Sequence, residues 1–216
     1  MPLPPCTHAR RSRSRRMPDT SLFHSSGVIV DHDGRAELIH DFFDADVADA
    51  HMRALDDEVR WEHAEVIVFG RRVREPRMSV WYAENGMDYR YSNVSRTAHP
   101  FTPGLRTLRD EVERRTGARF NSALVNLYRD GNDRLGWHAD NEECNGPEPT
   151  IASLSFGAER RFDLRHRATG ETVRVTLPHG SLLVMSGTLQ QHWVHQVPAM
   201  KRVPGPRINV TFRLVT

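Results

Sequence analysis

Arg207-Ile208-Asn209-Val210-Thr211-Phe212-Arg213-Leu214 alternates without a fault, polar at every odd position and apolar at every even one. Strand side chains repeat every two residues, so this stretch is a strand with two distinct faces. Ile208, Val210, Phe212 and Leu214 share one face; Arg207, Asn209, Thr211 and Arg213 share the other. The polar face either meets solvent or lines an interior site. Arg207 and Arg213 stand about 20 Å apart at roughly 3.3 Å of rise per residue. Their forked guanidinium groups, reaching inward from both ends, leave room for a short dicarboxylate between them.

Similar short runs precede it from Asn121 onward: Ala123–Tyr128, Ile151–Phe156, Arg161–His166, Thr172–Leu177, Ser181–Met185 and Trp193–Val197, with the final run extending through Val215. Turn signals such as Asp130-Gly131, Thr169-Gly170 and His179-Gly180 separate them. Seven or eight short strands with no intervening helix predict a mainly β sandwich or jelly-roll barrel. Two helices come earlier. Asp44 caps one that runs through about Trp61, with Ala48, Met52, Leu55 and Val59 as its apolar stripe. Thr102-Pro103 opens the other, with Leu105, Leu108 and Val112 on one face and Gly117 as its stop. Both are expected to flank one outer face of a sheet. Gly27–Val30 reads as a first strand before an Asp33-Gly34 turn, Val66–Gly70 as another short strand, and Asn85-Gly86 as a hairpin turn.

The 216 residues, 38% hydrophobic and 27% charged, fit a single domain with a sizeable core. No apolar run approaches the roughly 20 residues of a membrane span. Cys6 and Cys144 provide no disulfide framework, which points to a reducing, cytoplasmic setting. Net charge is +2, but residues 1–16 hold five Arg and no acid, so removing those five leaves −3 for the rest. A nucleic-acid partner would therefore be held by a local basic patch. Residues 1–20 read as a disordered basic tail; a transit peptide would be longer and amphipathic. Either a basic arm that supplements nucleic-acid binding or a start of translation at Met17 accounts for it. Residues 21–216 form one domain without internal repeats.

Within that domain, Trp137-His138-Ala139-Asp140 follows a turn-rich run. In extended chain a His and an Asp two positions apart point to the same side, offering two of the three ligands of a non-haem Fe(II) facial triad. His192 and His195 lie three apart, so on a strand only one can point inward; His195, in His195-Gln196-Val197-Pro198, is the candidate. His166 and His179 sit at turns and are expected to be solvated. On the strand before, Asn126 and Tyr128 share one face and Val125 and Leu127 the other, which turns an amide and a phenol toward a possible ligand.

Taken in order, these stretches resemble the AlkB family of Fe(II)- and 2-oxoglutarate-dependent nucleic-acid dealkylases over about residues 66–214. The matching pieces are Asn126-Leu-Tyr128-Arg-Asp-Gly131, Gly136-Trp-His138-Ala-Asp140-Asn-Glu142 and Pro149-Thr-Ile151-Ala-Ser153-Leu-Ser155-Phe-Gly157. Further on come His179-Gly-Ser181-Leu-Leu183-Val-Met185, His195-Gln-Val-Pro198 and Pro206-Arg207-Ile-Asn209-Val-Thr211-Phe-Arg213. The resemblance implies a double-stranded β-helix, or jelly-roll, core with an N-terminal nucleotide-recognition lid at about residues 61–100. It implies Fe(II) on His138, Asp140 and His195. It also implies 2-oxoglutarate bound by Asn126, Tyr128, Arg207, Asn209, Thr211 and Arg213, with the two Arg at opposite carboxylates.

The implied reaction uses O2 and 2-oxoglutarate to hydroxylate an N-methyl group on a base, releasing succinate, CO2 and formaldehyde. The implied substrates are N1-methyladenine and N3-methylcytosine in DNA, with RNA as a further class, handled by a monomer with no membrane association. These bases are cationic, so a carboxylate at Glu142 would favour them; Asn141 departs from the acidic residue expected beside it. Tyr91 resembles the family's stacking aromatic, which would hold the flipped base against His138. Phe69, in Val68-Phe69-Gly70, looks like a wedge for the gap left by that base. Arg161, with Arg71, Arg72, Arg74, Arg77 and Arg160, would clamp phosphates. Two other readings are a 2-oxoglutarate oxygenase acting on a protein or lipid group, and a jelly roll that binds metal or nucleic acid without turnover.

Overall fold

The computed structural model describes residues 27–63, 65–68, 71–84, 89–91, 94–96 and 98–216, and at strand residues 66–68, 71, 89–91 and 94–96 it describes the backbone. Strands β1 (Gly27–Val30) and β2 (Arg35–Ile39) form a hairpin that leads into helix α1 (Ala45–Glu58). Two small ribbons follow around a longer strand: β3 (Glu65–Val68) with β4 (Arg71–Arg74), then β5 (Met78–Ala83), then β6 (Tyr89–Tyr91) with β7 (Val94–Arg96). Helix α2 (Pro103–Thr116) precedes β8 (Ser122–Tyr128), β9 (Leu135–His138), β10 (Ile151–Gly157) and β11 (Arg160–His166). The chain ends with β12 (Thr172–Leu177), β13 (Ser181–Ser186), the single helical turn α3 (Leu189–His192), β14 (Trp193–Val197) and β15 (Arg207–Arg213).

These strands build a jelly roll of two antiparallel sheets. The larger runs β1-β2-β13-β10-β15-β8-β5 and the smaller β12-β11-β14-β9. β15 lies inside the larger sheet between β10 and β8 and is buried on both faces. Its apolar side, Ile208, Val210 and Phe212, joins Leu55 of α1 and Leu105, Leu108 and Val112 of α2 in one core cluster. Each such side chain, taken fully out of water, contributes about 1.5–3 kcal/mol. Arg207, Asn209, Thr211 and Arg213 face the space between the sheets, none more than 7% exposed. The interior alternative for the polar face is therefore the one the fold adopts.

Local chemistry sets the ends of the elements. Asp44 accepts the Val47 N–H at 3.0 Å to start α1, which stops at Glu58 because Val59 is already extended. Thr102 accepts the Leu105 N–H at 3.2 Å to start α2, and Gly117 at φ 72° closes it. β15 ends at Arg213, short of the expected Val215, because the Asn121 side chain takes over the pairing. Its Nδ2 donates to Val215 O at 2.7 Å and its Oδ1 accepts from Val215 N at 2.8 Å. Gly34 sits at φ 113° against α3, where a Cβ would collide with the Leu189 backbone.

Several expectations need correction. β2 was not foreseen, since five residues between a turn and a helix cap carry little periodic signal. The strand series is interrupted by α3, so His192 ends a helical turn and does not sit on the strand of His195. His166 is buried, its Nε2 3.1 Å from Asp33 Oδ2 and its Nδ1 accepting the Thr169 N–H. His179 is only partly exposed and accepts the Gly157 N–H at 2.8 Å. The Asn85-Gly86 turn lies outside the described residues. No helix among the described residues is long and apolar enough to cross a membrane.

Candidate functional site

β14 pairs with β9 so that His195 and His138 are direct cross-strand partners, their ring centroids 4.2 Å apart. Asp140 follows two residues after the end of β9, and its Oδ2 comes within 3.8 Å of His195 Nε2. One ligand atom from each of the three residues lies within 4.8 Å of the others. His138 Nδ1 is 2.8 Å from the Gly136 carbonyl, which can only accept, so Nδ1 holds the proton and Nε2 keeps its lone pair. Phe162 stacks on the His195 ring at 5.3 Å and limits its rotation.

Burial pushes both imidazoles down, and the neighbouring His138 helps bring His195 to about 3, so both rings are neutral at pH 7. Burial alone would push the Asp140 carboxyl up. The Arg213 charge and its hydrogen bond outweigh that and keep Asp140 ionised. Two neutral imidazoles and one carboxylate on one side of a cavity form the donor set of a facial-triad Fe(II) centre.

Among the described residues a second trio, Asp33, His166 and His192, also brings ligand atoms within 4.8 Å. Its tautomer argues against a metal. His166 Nδ1 accepts a backbone N–H at 3.1 Å, so the proton of the neutral ring is on Nε2, the atom that faces Asp33. That ring is a hydrogen-bond donor, whereas His138 is arranged as a ligand.

The same cavity contains the polar face of β15. Arg213 donates to Asp140 Oδ1 at 2.9 Å, which sets that end of the strand beside the imidazole pair. At the far end Arg207, 1% exposed, donates from Nη2 to Ser155 Oγ at 2.9 Å and lies over the Tyr128 ring at 5.1 Å. Its Nε and Nη1 are buried with no hydrogen-bond partner among the described residues. Burial pushes its pKa down to about 10. A desolvated cation with two unpartnered donor nitrogens is costly, and a carboxylate is the complement that removes the cost. Between the two Arg, Asn209 donates to Ser153 Oγ at 2.8 Å and Leu154 O at 2.9 Å, and accepts from Thr211 at 3.1 Å and Asn126 at 3.3 Å. The wall thus lines the cavity with amide and hydroxyl groups between two buried cations, one at each end of the strand.

The structure brings together His138, Asp140, His195, Asn126, Tyr128, Arg207, Asn209, Thr211 and Arg213 around this one cavity. Glu142 lies just beyond it, half-buried, and accepts from Asn145 Nδ2 at 2.9 Å; Asn141 beside it is exposed. Arg161 is exposed on β11 with its Nε 3.0 Å from Asp163 Oδ1. Phe69 and the side chain of Tyr91 lie outside the described residues. Two expected phosphate clamps are not available for that role. Arg160 is fully buried and donates to the Asp130, Asp133 and Pro198 carbonyls. Arg77, 2% exposed, lines the cavity and donates to Asn126 Oδ1 at 2.9 Å and Glu75 Oε1 at 3.3 Å. Sequence reasoning also missed Phe162, Gln190 and Asn145, none of which stands in a motif.

Comparisons with known proteins agree with this geometry. The profile of the 2OG-Fe(II) oxygenase superfamily matches residues 35–213. The chain is 39% identical to the DNA oxidative demethylase ALKBH2 of Mus musculus over 93% of its own length and 85% of that protein. It is 37% identical to the alpha-ketoglutarate-dependent dioxygenase alkB homolog 3 of Homo sapiens, covering 93% of this chain and 75% of the relative. A solved structure described as "The structure of OsALKBH1" superposes with a TM-score of 0.59 at 14% identity, over 82% of this chain and 97% of that one, a likeness of fold.

Proposed function

This chain belongs to the AlkB family of Fe(II)- and 2-oxoglutarate-dependent dioxygenases, and from that premise we propose that it oxidatively demethylates N-alkylated bases in nucleic acid. N1-methyladenine and N3-methylcytosine in DNA are the proposed substrates, with the same lesions in RNA as a second class. The observation that carries the reading is the pairing of a ligand-ready triad with a buried, under-bonded Arg207 in one cavity. A module that only binds nucleic acid has no use for a dicarboxylate cradle.

In this reading His138, Asp140 and His195 would hold the iron. With 2-oxoglutarate and O2, the metal supplies an oxidant able to hydroxylate a methyl C–H, a task no side chain performs. Arg207 would meet the distal carboxylate of 2-oxoglutarate with the unpartnered Nη1 amino group at the tip of its guanidinium. Arg213 would grip the proximal one while remaining bonded to Asp140. Asn126, Tyr128, Asn209 and Thr211 would keep this wall polar and dry. Glu142 would stabilise the positive charge of the methylated base near the mouth. Tyr91 and the lid at about 61–100 would hold the flipped base, Phe69 would enter the gap behind it, and Arg161 would meet a phosphate. The hydroxymethyl base then loses formaldehyde and regains its pairing edge.

Formaldehyde release from matched methylated DNA and RNA oligonucleotides tests the proposal, with succinate as the co-product to be counted against it. Wild type should release one formaldehyde per succinate, and His138→Ala should release none. Succinate formation unaffected by any methylated oligonucleotide would turn the assignment toward a protein or lipid substrate.

A further inference from the structure

Both imidazoles of the triad are carried by paired strands, but β9 ends at His138 and Asp140 lies beyond it. No ladder fixes its backbone. Two buried side-chain amides do so instead. Gln190 on α3, 1% exposed, accepts the Asp140 N–H on Oε1 at 2.9 Å, and its Nε2 donates to the Met185 thioether at 3.6 Å. Asn145, 6% exposed, donates from Nδ2 to the Asp140 carbonyl at 3.3 Å and to Glu142 Oε2 at 2.9 Å. The orientation of each amide follows from its partners: Gln190 must offer oxygen to an N–H, and Asn145 must offer nitrogen to two oxygens.

The Asp140 N–H and C=O belong to the two peptide planes on either side of its Cα. Holding both fixes the direction of the Cα–Cβ bond, and Arg213 then fixes the carboxylate at its tip. We propose that Gln190 and Asn145 are positioning residues that together aim Asp140 at the metal, and that Asn145 ties Glu142 to the same backbone. One NH2 group thereby links the backbone of Asp140 to the Glu142 carboxylate. This rests on Asp140 being a metal ligand, as proposed above.

The test is Mn(II) binding to the whole chain, read from the electron paramagnetic resonance signal of the free ion, which requires no turnover. Asp140→Ala should bind Mn(II) far more weakly than wild type. Gln190→Leu, folded by near-ultraviolet circular dichroism, should lose about 10–100-fold in affinity, the range found when partners of metal ligands are removed. Gln190→Glu, which keeps an acceptor for the Asp140 N–H, should recover part of that loss. Asn145→Ala should weaken Mn(II) binding and also raise KM for a methylated oligonucleotide. Should Gln190→Leu not fold, Asn145→Ala and Gln190→Glu still decide the matter. Wild-type Mn(II) affinity in folded Gln190→Leu and Asn145→Ala, with binding lost in Asp140→Ala, would overturn the positioning role alone. Wild-type affinity in Asp140→Ala would overturn the ligand assignment beneath it.

Discussion

Arg207 is the residue whose chemistry conflicts most with its surroundings. A guanidinium taken fully out of water, with two donor nitrogens unpartnered, costs several kcal/mol that one hydroxyl and the Tyr128 face only partly offset. Arg207→Met keeps the volume and removes the charge. It is expected to raise stability in the absence of 2-oxoglutarate by about 1–3 kcal/mol, given the desolvation cost relieved. Wild type should gain about 2.7 kcal/mol at 2-oxoglutarate concentrations 100-fold above Kd, and the variant should lose that gain. Urea melts with and without the co-substrate check both halves. A variant less stable than wild type and still stabilised by 2-oxoglutarate would place the dicarboxylate elsewhere.

At the scale of the element, β15 serves two purposes with one alternation, and its faces should separate in mutagenesis. Phe212 packs against Phe101 and Phe120 on the helix side, so Phe212→Ala should cost about 3–5 kcal/mol while leaving KM for 2-oxoglutarate unchanged in the folded fraction. Thr102→Ala, which removes the cap of α2, should cost about 1 kcal/mol. Guanidinium denaturation and steady-state kinetics on the same samples test both. These elements were readable in the sequence because their signals are local. Period two marks β15, and a Thr-Pro start with a Gly stop marks α2. The His138, Asp140 and His195 set was legible from order and spacing. The supports of Asp140 were not, because Gln190 and Asn145 gain their roles only when α3 and the turn at Glu143–Asn145 fold against the end of β9. His166 was misread for the same reason: a turn position says nothing about the Asp33 hairpin that covers it.

Charge must be argued for the whole molecule, because a run of Arg looks alike in sequence whatever its fate. The chain carries +2, and setting aside the five Arg of residues 1–16 leaves −3, so residues 17–216 attract nucleic acid through local clusters of cations and not through net charge. Arg160 and Arg161 are adjacent in sequence and opposite in situation. Arg160 is itself buried and bonds three carbonyls, so Arg160→Ala strips a donor from each, and the bond to Asp133 lies wholly in the interior. The substitution should cost roughly 3 kcal/mol or more and leave the salt dependence of binding intact. Arg161 points outward from β11, its guanidinium paired with the buried Asp163 carboxylate, which also accepts from Gln196 Nε2 at 2.8 Å. Arg161→Ala leaves Asp163 with Gln196 as its remaining side-chain donor and should cost about 1–3 kcal/mol. If Arg161 meets a phosphate, the variant should reduce the slope of log K against log salt by about 0.7 on single strands or 0.9 on duplex. Binding isotherms at four or more salt concentrations read that slope. A slope that moved with Arg160 and not with Arg161, in folded protein, would mean that the nucleic acid follows a different face of the smaller sheet.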